Sequence, residues 1–352
     1  MMMKIDSNGK KYVGIICGGK SAEHEISVQS AKNVVDALDA SKFTPVLIGI
    51  DRAGNWHQLT HDQLSVSDVI EIAPETKDKL SLLTNIDVVM PILHGPLGED
   101  GTIQGLFEIM DIPYVGPGVL SSAASMDKDV AKRLLIDASI PTAPFRTLYA
   151  HQKDDIDFSE LQEELGAELF VKPANMGSSV GVNKATNEPE LRRAIAVAFE
   201  FDSKILVESA VHGTEIECSV LGNLTPKASA IGRIIPREGD FYSYEAKYID
   251  ESGAELEIPA HVPDDITAAA QDLALKTYAA LNCEGMSRVD MFLTPGNKLI
   301  VGELNTIPGF TKISMYPKLW EASGLPYADL ITELIDLAFE RHNRRSSLRT
   351  TQ

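Results

Sequence analysis

Two short runs near the C-terminal end of the chain combine acidic side chains with the alternation of a β-hairpin. In the first run, Arg288 and Asp290 fall on one face, because successive strand residues point to opposite sides. A Pro-Gly-Asn turn follows. The second run predicts that one face, turned toward Asp290, carries Val301, Glu303 and Asn305.

Carboxylates that share a strand face repel each other. At about 4 Å the repulsion is roughly 4 kcal/mol for an effective dielectric constant near 20. A hard divalent cation removes this cost, and all-oxygen ligands suit magnesium. An ion pair between Arg288 and one carboxylate on a solvated sheet face explains the same pattern. The hairpin alone leaves both interpretations open.

A second candidate site lies at 172–181, where a lysine precedes two glycines and two serines. Glycine permits tight turns that expose backbone N–H groups to an anion, and Lys172 adds positive charge. The P-loop spacing G-x-x-x-x-G-K-[ST] is absent, and an ordinary polar turn also fits this segment.

Two further loops follow predicted strands in the N-terminal part. One begins with Gly18 and Gly19 and reaches Glu25, which could favour a helix dipole or hold a substrate ammonium group. The other begins with His94, which could be a base, an anion ligand or a hydrogen-bonded structural histidine. The G-x-G-x-x-G fingerprint is missing, which disfavours a nicotinamide oxidoreductase.

The elements that must position these loops alternate in the N-terminal part. Strands are predicted at 12–17, 44–50 and 86–93, with helices at 27–38 and 102–110. This alternation predicts a parallel sheet with crossover helices, in which ligands bind beyond the carboxyl ends of the strands.

From about Phe145 the pattern changes to α+β. The predicted strands are 168–172, 180–183, 204–208 and 215–221, followed by the hairpin at 287–305. The predicted helices of this part are 188–201, 266–281 and 327–342, and a helix predicted at 120–140 links it to the N-terminal part. A length of 352 residues predicts two or three domains.

The net charge, the cysteines and the apolar stretches exclude several classes of protein. The formal net charge of −19 argues against nucleic-acid binding, which needs a basic footprint. An anionic ligand would therefore need locally placed lysines or arginines. Three separated cysteines fit a reducing compartment, and no stretch predicts a signal peptide or a membrane span. We expect a cytoplasmic protein.

Taken in order, the motifs resemble those of one enzyme family. They are Gly-Gly-Lys-Ser-Ala-Glu-His-Glu-Ile-Ser at 18–27, His-Gly-Pro-Leu-Gly-Glu-Asp-Gly at 94–101, the loop at 172–182, Tyr-Glu-Ala-Lys-Tyr at 244–248, and the hairpin motifs at 287–290 and 303–311. The series, which runs from residue 12 to about 342, resembles the D-alanine–D-alanine ligases.

The resemblance implies the ATP-grasp fold, with an α/β and α+β architecture. It implies an N-terminal parallel-sheet domain at 1–125, a central ATP-grasp unit at 126–230, and a C-terminal unit at 231–352 with a lid at 237–253. It also implies a homodimeric enzyme that ligates two D-alanine molecules with ATP, through an acyl phosphate, for peptidoglycan synthesis.

The resemblance also implies a role for individual residues of the site. The ATP-binding residues would be Lys128, Lys172, Ser179, Glu208, Ser209, Val211 and Glu215. Two Mg²⁺ or Mn²⁺ ions would be bound by Asp290, Glu303 and Asn305. Substrate would meet Glu25, His94, Arg288, Gly309, Ser314 and Met315, with Arg288 and Gly309 facing the oxyanion. Lys247 would touch the transferred phosphoryl group, and the lid would be latched by Glu25, Ser178 and Tyr248.

Three alternatives accompany this interpretation. A D-alanine–D-lactate or D-alanine–D-serine ligase is the nearest, and Tyr248 within an intact Tyr-Glu-Ala-Lys-Tyr segment favours the dipeptide-forming branch. A non-catalytic nucleotide-binding module is disfavoured because Arg288 stands beside a full set of metal ligands. The third alternative is a nicotinamide oxidoreductase, which the missing G-x-G-x-x-G fingerprint disfavours. The adenine-contacting stretch at 209–211 lacks the aromatic residue that some relatives carry.

Overall fold

Three β-sheets and the helices packed on them form the described part of the chain. The computed structural model describes residues 9–71, 79–153, 156–236 and 254–349. The strands are β1 Lys11–Gly18, β2 Phe43–Ile50, β3 Trp56–Leu59, β4 Val88–Ile92, β5 Phe145–Tyr149, β6 Leu169–Pro173, β7 Asn183–Ala185, β8 Lys204–Ser209, β9 Thr214–Gly222, β10 Lys227–Pro236, β11 Ala254–Glu257, β12 Gly285–Leu293 and β13 Leu299–Asn305. The α-helices are α1 His24–Ala37, α2 His61–Val66, α3 Thr102–Ile109, α4 Val119–Met126, α5 Lys128–Asp137, α6 Phe158–Leu165, α7 Glu188–Phe201, α8 Asp264–Ala280, α9 Met315–Ala322 and α10 Tyr327–Ser346.

The first sheet has the strand order β3-β2-β1-β4. Strand β1 pairs in parallel with β2 and β4, which confirms the predicted parallel sheet, and β3 adds an antiparallel edge. The last six residues of β1 and all of β4 are buried, as strands covered on both faces must be. The carboxyl ends of β1 and β4 lead into the loops that begin with Gly19 and with His94, so both loops lie at one edge of this sheet.

Two antiparallel sheets follow. The first has the order β5-β8-β6-β7, and the second has the order β11-β10-β9-β12-β13. Strand β9 pairs with β12 along its whole length and so belongs to the second of these sheets. The boundary that we predicted between 230 and 231 instead falls inside β10, because sequence alone does not reveal which strands pair. We place the boundary between the two antiparallel units at 210–213.

A β-bulge in the β12–β13 hairpin changes which side chains share a face. Asp290 pairs with Glu303 and Met291 pairs with Val301, so Gly302 is the extra residue. The prediction that Val301 lies on the face of Glu303 is therefore wrong, since Val301 is fully buried in the core. A Cβ atom on Gly302 would lie 3.2 Å from Phe292 Cε2, which favours glycine at this position.

The C-terminal helix completes the core of the first sheet. Leu330, Leu334 and Ile335 of α10 belong to the same buried cluster as Val13 of β1 and Val88 of β4. The predicted helix at 327–342 is thus confirmed and extends to Ser346. Strands β1 and β4 are thus packed against α10, so the N-terminal sheet depends on a helix from the C-terminal part of the sequence.

All three cysteines are buried and none forms a disulfide bond. Burial raises the pKa of each thiol to about 12, for Cys17, Cys218 and Cys283 alike. None of the helices in the described ranges is long and apolar enough to cross a membrane.

Candidate active site

A buried carboxylate lies between two lysines at the end of β8. Glu208 is 5% exposed, with Lys172 Nζ 2.7 Å from Oε2 and Lys132 Nζ 3.3 Å from Oε1. Burial alone would raise the pKa of Glu208, but Lys172 and Lys132 together outweigh it and hold the pKa below its usual value. The predicted ATP residues Lys172 and Glu208 therefore form one charged group, and the carboxylate is ionised.

Lys132 is a residue of this group that the sequence analysis missed. Its ammonium also donates to Thr142 Oγ1 at 2.9 Å and to the Ala143 carbonyl at 3.1 Å. Burial lowers the pKa of Lys132 to about 8. A signal was present in the sequence, because Lys132 stands four residues after Lys128 and the two share one face of α5.

Lys128, at the start of α5, contacts the glycine- and serine-containing loop that follows β6. Its ammonium donates to the Met176 carbonyl at 2.6 Å. Burial lowers the pKa of Lys128, and the carboxylates of Glu303 and Glu208 oppose this shift, whereas Lys172 adds to it. These charges come from β13, β8 and β6, so the predicted ATP and metal residues surround one space.

The predicted adenine-contacting stretch follows directly after Glu208. Ser209 is anchored to its surroundings, because its hydroxyl donates to the Leu165 carbonyl at 2.6 Å and its N–H donates to the Pro144 carbonyl at 3.0 Å. Val211 is half-buried. The stretch is thus held at the end of β8 in the antiparallel sheet β5-β8-β6-β7, with the Lys172–Glu208 pair beside it.

The hairpin carries the predicted metal ligands. Arg288 donates twice to Asp290, from Nε to Oδ1 and from Nη2 to Oδ2, both at 2.7 Å. Asn305 Nδ2 donates to Asp290 Oδ2 at 2.9 Å, and Glu303 is the cross-strand partner of Asp290. The structure thus contains the ion pair of the alternative interpretation, within the same group of residues that would bind metal.

Strand β9 adds two more carboxylates to this face. Oxygen atoms of Glu215, Glu217 and Asp290 all lie within 4.8 Å of one another. Glu217 Oε2 is also 2.8 Å from Arg288 Nε. Glu215 was predicted as a ribose contact and Glu217 was missed, although strand alternation places both on one face. An all-oxygen donor set of this charge fits a hard divalent cation such as Mg²⁺.

The third group of residues lies at the edge of the N-terminal sheet, where Glu23 meets the loop at 177–181. Ser178 Oγ donates to Glu23 Oε1, and Glu23 is only 7% exposed. Ser178 adopts φ 51° and Ser179 adopts φ 59°, a left-handed conformation that is uncommon outside glycine. Backbone strain of this kind is found preferentially at functional sites.

The structure contradicts the position predicted for Glu25. Its side chain is 42% exposed and forms an ion pair with Arg52, which lies two residues beyond the end of β2. Helix α1 begins at His24, and two helical residues differ by about 200° in direction, so Glu23 and Glu25 point apart. The carboxylate that meets Ser178 is that of Glu23.

His94 and Glu99 bind the two polar groups of one residue beyond β13. The Ile307 carbonyl is 3.0 Å from His94 Nδ1, and the Ile307 N–H donates to Glu99 Oε1 at 3.1 Å. Burial lowers the pKa of His94 despite the nearby Glu23 carboxylate. Burial and the Glu23 charge raise the pKa of Glu99 to about 8. Glu99 had no predicted role, although it lies within the motif at 94–101.

The predicted second-substrate residues lie at the start of α9. Ser314 Oγ accepts from the Thr311 N–H at 3.0 Å, and a Cβ atom on Gly309 would lie 3.1 Å from the same oxygen. The Met315 side chain packs in a small core with Ile234, so only its main chain is available to a ligand. N–H groups at a helix N-terminus favour a carboxylate.

Tyr248 and Lys247, with the predicted lid at 237–253, lie outside the described residues. The residues that flank this segment are Pro236 and Ala254, which face each other in the β10–β11 ladder.

Two family models match most of the chain. The model described as D-ala D-ala ligase N-terminus matches residues 12–117, and the one described as D-ala D-ala ligase C-terminus matches residues 134–336. The chain belongs to the D-alanine–D-alanine ligase family. One member, the D-alanine–D-alanine ligase of Shouchella clausii strain KSM-K16, is 53% identical to this ligase over 362 aligned residues, which cover 97% of this chain and 98% of the relative.

Solved structures of the family resemble this ligase over nearly their whole length. The VanG D-Ala:D-Ser ligase of Enterococcus faecalis aligns with a TM-score of 0.82 and 35% identity, covering 94% of this chain and 99% of the other. A D-alanine–D-alanine ligase of Bacillus anthracis complexed with ATP aligns with a TM-score of 0.77 and 29% identity, covering 95% and 99%.

Proposed function

We propose that this ligase joins two D-alanine molecules with ATP to form D-alanyl-D-alanine, through an acyl phosphate, for peptidoglycan precursor synthesis in the cytoplasm of a bacterium. Family membership supports the reaction. The observation that carries the site is the set of charges that act on Lys128 of α5: Lys172 of β6, Glu208 of β8 and Glu303 of β13, which is the cross-strand partner of Asp290 in the acidic group. A polyphosphate with its cations needs both kinds of charge.

ATP would lie between the two antiparallel sheets. Adenine would meet Glu208 and the stretch at 209–211, and Glu215 would meet the ribose hydroxyls. Lys128, Lys172 and the loop at Ser179 would contact the phosphates. The 2.7 Å contact between Lys172 and Glu208 supports one nucleotide site for both residues.

The acidic face fits two divalent cations, Mg²⁺ or Mn²⁺. Asp290, Glu303 and Asn305 would hold them, and their charge would neutralise the phosphate oxygens. Repulsion among carboxylates on this face supports the proposal, because oxygens of Asp290, Glu215 and Glu217 lie within 4.8 Å of one another and Glu303 is the cross-strand partner of Asp290.

The substrates would bind at the edge of the N-terminal sheet. Glu23, which takes the role predicted for Glu25, would hold the ammonium group of the first D-alanine beside His94. The carboxylate of that D-alanine attacks the γ-phosphate, and the P–O bond to ADP breaks. Arg288 and the Gly309 N–H would stabilise the oxyanion when the amine of the second D-alanine attacks the carbonyl. Phosphate then leaves, and the amine loses a proton.

The remaining roles in this proposal lie partly outside the described residues. Lys247 would touch the transferred phosphoryl group, and Tyr248 would join Ser178 and Glu23 to latch the lid. The start of α9, at Ser314 and Met315, would receive the carboxylate of the second D-alanine. The active form would be a homodimer.

The second candidate is a D-alanine–D-serine ligase, which the similarity to VanG favours. The experiment that separates the candidates measures ATP-dependent phosphate release with D-alanine alone, then with D-serine or D-lactate as a competing second substrate, and identifies the products. We expect D-alanyl-D-alanine to predominate at neutral pH. A mixed dipeptide or a depsipeptide as the main product would overturn the proposal.

Substitution of a metal ligand tests the acidic face. Glu303→Gln keeps the size but removes a charge, and we expect it to abolish phosphate release because the nucleotide charge is no longer neutralised. Glu333→Gln, an exposed change on α10, is the matched control and should leave the rate unchanged. Unchanged turnover in Glu303→Gln would refute the metal assignment.

A further inference from the structure

Asp290 is fully engaged by cationic and amide donors. Both of its oxygens accept from Arg288 at 2.7 Å, and Oδ2 also accepts from Asn305 at 2.9 Å. Its side chain is 6% exposed, so these contacts are little screened by water. A divalent cation that binds Asp290 must compete with the guanidinium, because two cations that share one carboxylate repel each other.

A second carboxylate stands ready to hold the guanidinium. Glu217 on β9 is the cross-strand neighbour of Asp290 on β12, and its Oε2 lies 2.8 Å from Arg288 Nε. The Glu217 side chain is 5% exposed, so it is a desolvated anion beside a desolvated cation. A buried charge of this kind is costly unless it is paired, and Arg288 is its close cation.

We infer that Glu217 is a positioning residue that holds Arg288 at the reaction centre when Asp290 turns its oxygens toward a divalent cation. The inference rests on the proposed function, in which Asp290 binds metal and Arg288 meets the oxyanion. With Glu217 in place, Arg288 can leave Asp290 without leaving the site. Without that carboxylate, Arg288 stays on Asp290 and competes with the cation.

The test is a binding cycle that needs no turnover. Mn²⁺ affinity is measured by calorimetry in the presence of a non-hydrolysable ATP analogue, for the wild type, Glu217→Gln, Arg288→Met and the double variant. We expect Glu217→Gln to weaken Mn²⁺ binding by roughly five-fold or more when Arg288 is present. In the Arg288→Met background, the same change should have an effect below about two-fold.

Two results would overturn the inference. Equal weakening in both backgrounds would make Glu217 a metal ligand, and no weakening in either would leave it without a role toward Arg288. Unfolding midpoints of all four proteins check that the variants fold. A wild-type protein that makes no D-alanyl-D-alanine would instead refute the proposed function, and this result is separate from the binding cycle.

Steady-state kinetics give a second readout that a structural role would not produce. Glu217→Gln should lower kcat for D-alanine-dependent phosphate release by roughly ten-fold, because Arg288 no longer meets the oxyanion. The KM for ATP should rise by less than that factor. Equal changes in kcat and in the KM for ATP would contradict a role exerted through Arg288.

Discussion

Glu23 and Glu25 show what a motif can and cannot assign at the scale of single residues. Both belong to the segment at 18–27, so the sequence predicts a carboxylate at this loop. Which of the two faces the site depends on where α1 begins, and on a contact with Ser178 that is 155 residues distant in sequence. Neither fact can be deduced from the spacing of the motif.

Exchange of each carboxylate for an amide separates the two residues. Glu23→Gln should lower kcat/KM for D-alanine by about 10- to 100-fold, because a hydrogen bond to a charged group contributes roughly 1.5–3 kcal/mol. Glu25→Gln should change it by less than about three-fold, since exposed ion pairs contribute little. Phosphate release measured at varied D-alanine concentration checks both, and a larger loss in Glu25→Gln would reverse the assignment.

Glu99 gives a pH dependence of stability. Its pKa is about 8 in the folded protein and near 4.5 when unfolded, so between these values the folded state alone keeps the proton. The wild type should therefore lose stability relative to Glu99→Gln as pH rises from about 4.5 to 8, by at most about 1.4 kcal/mol per pH unit. Urea unfolding of both ligand-free proteins at pH 5, 6.5 and 8 measures the difference. A difference that is constant with pH would contradict the raised pKa.

At the scale of elements, the sequence predicted individual strands well and their partners poorly. Helix α7 was predicted at its observed bounds, and β1, β2 and β4 within two residues, because buried parallel strands are continuous apolar runs. The short β3, and the bulge at Gly302, have no such signature. A single bulge residue moves the side chain of every later residue in the strand to the opposite face of the sheet from the one that simple alternation predicts.

A pair of glycines in and beside α3 tests the loop that carries His94 and Glu99. A Cβ atom on Gly98 would lie 2.4 Å from the Leu93 carbonyl oxygen, so Gly98→Ala should destabilise the fold by about 1–3 kcal/mol and displace the loop. A Cβ atom on Gly105 would have no other atom within 4 Å, so Gly105→Ala should stabilise α3 by up to about 1 kcal/mol.

Denaturant unfolding and D-alanine-dependent turnover of the two variants check this prediction. Gly105→Ala serves as the control for an added methyl group near the same loop. Equal stability of the two variants would show that the backbone around Leu93 shifts without cost.

At the scale of the molecule, the first and last parts of the chain form one core. Helix α10 covers the N-terminal sheet, and Arg341 donates to the Tyr114 carbonyl at 2.8 Å. The expectation of an N-terminal domain at 1–125 omitted this helix, since an amphipathic pattern identifies a buried face but does not name what covers it.

Leu334→Ala tests the shared core. Leu334 is 1% exposed, and its truncation should cost about 2–5 kcal/mol. Leu224→Ala, at a side chain that is 70% exposed, is the control and should cost little. The two tryptophans report on the two faces of the N-terminal sheet: Trp320 of α9 lies in the same buried cluster as Leu334, and Trp56 of β3 packs against the cluster on the other face.

The variants Trp56→Phe and Trp320→Phe allow each tryptophan, and so each face of the sheet, to be followed alone by fluorescence. We expect Leu334→Ala to shift both unfolding transitions together. A shift confined to the Trp320 signal would show that the N-terminal sheet is stable without α10.

The burial of all three thiols has a practical consequence for observing this ligase at work. With a pKa of about 12, Cys17, Cys218 and Cys283 carry almost no thiolate at neutral pH. A maleimide dye should therefore react with a cysteine introduced at an exposed position and leave the native ones unlabelled. A pair of such dyes on two exposed positions, Leu224→Cys and Ile109→Cys, would report changes in the distance between these two positions during turnover.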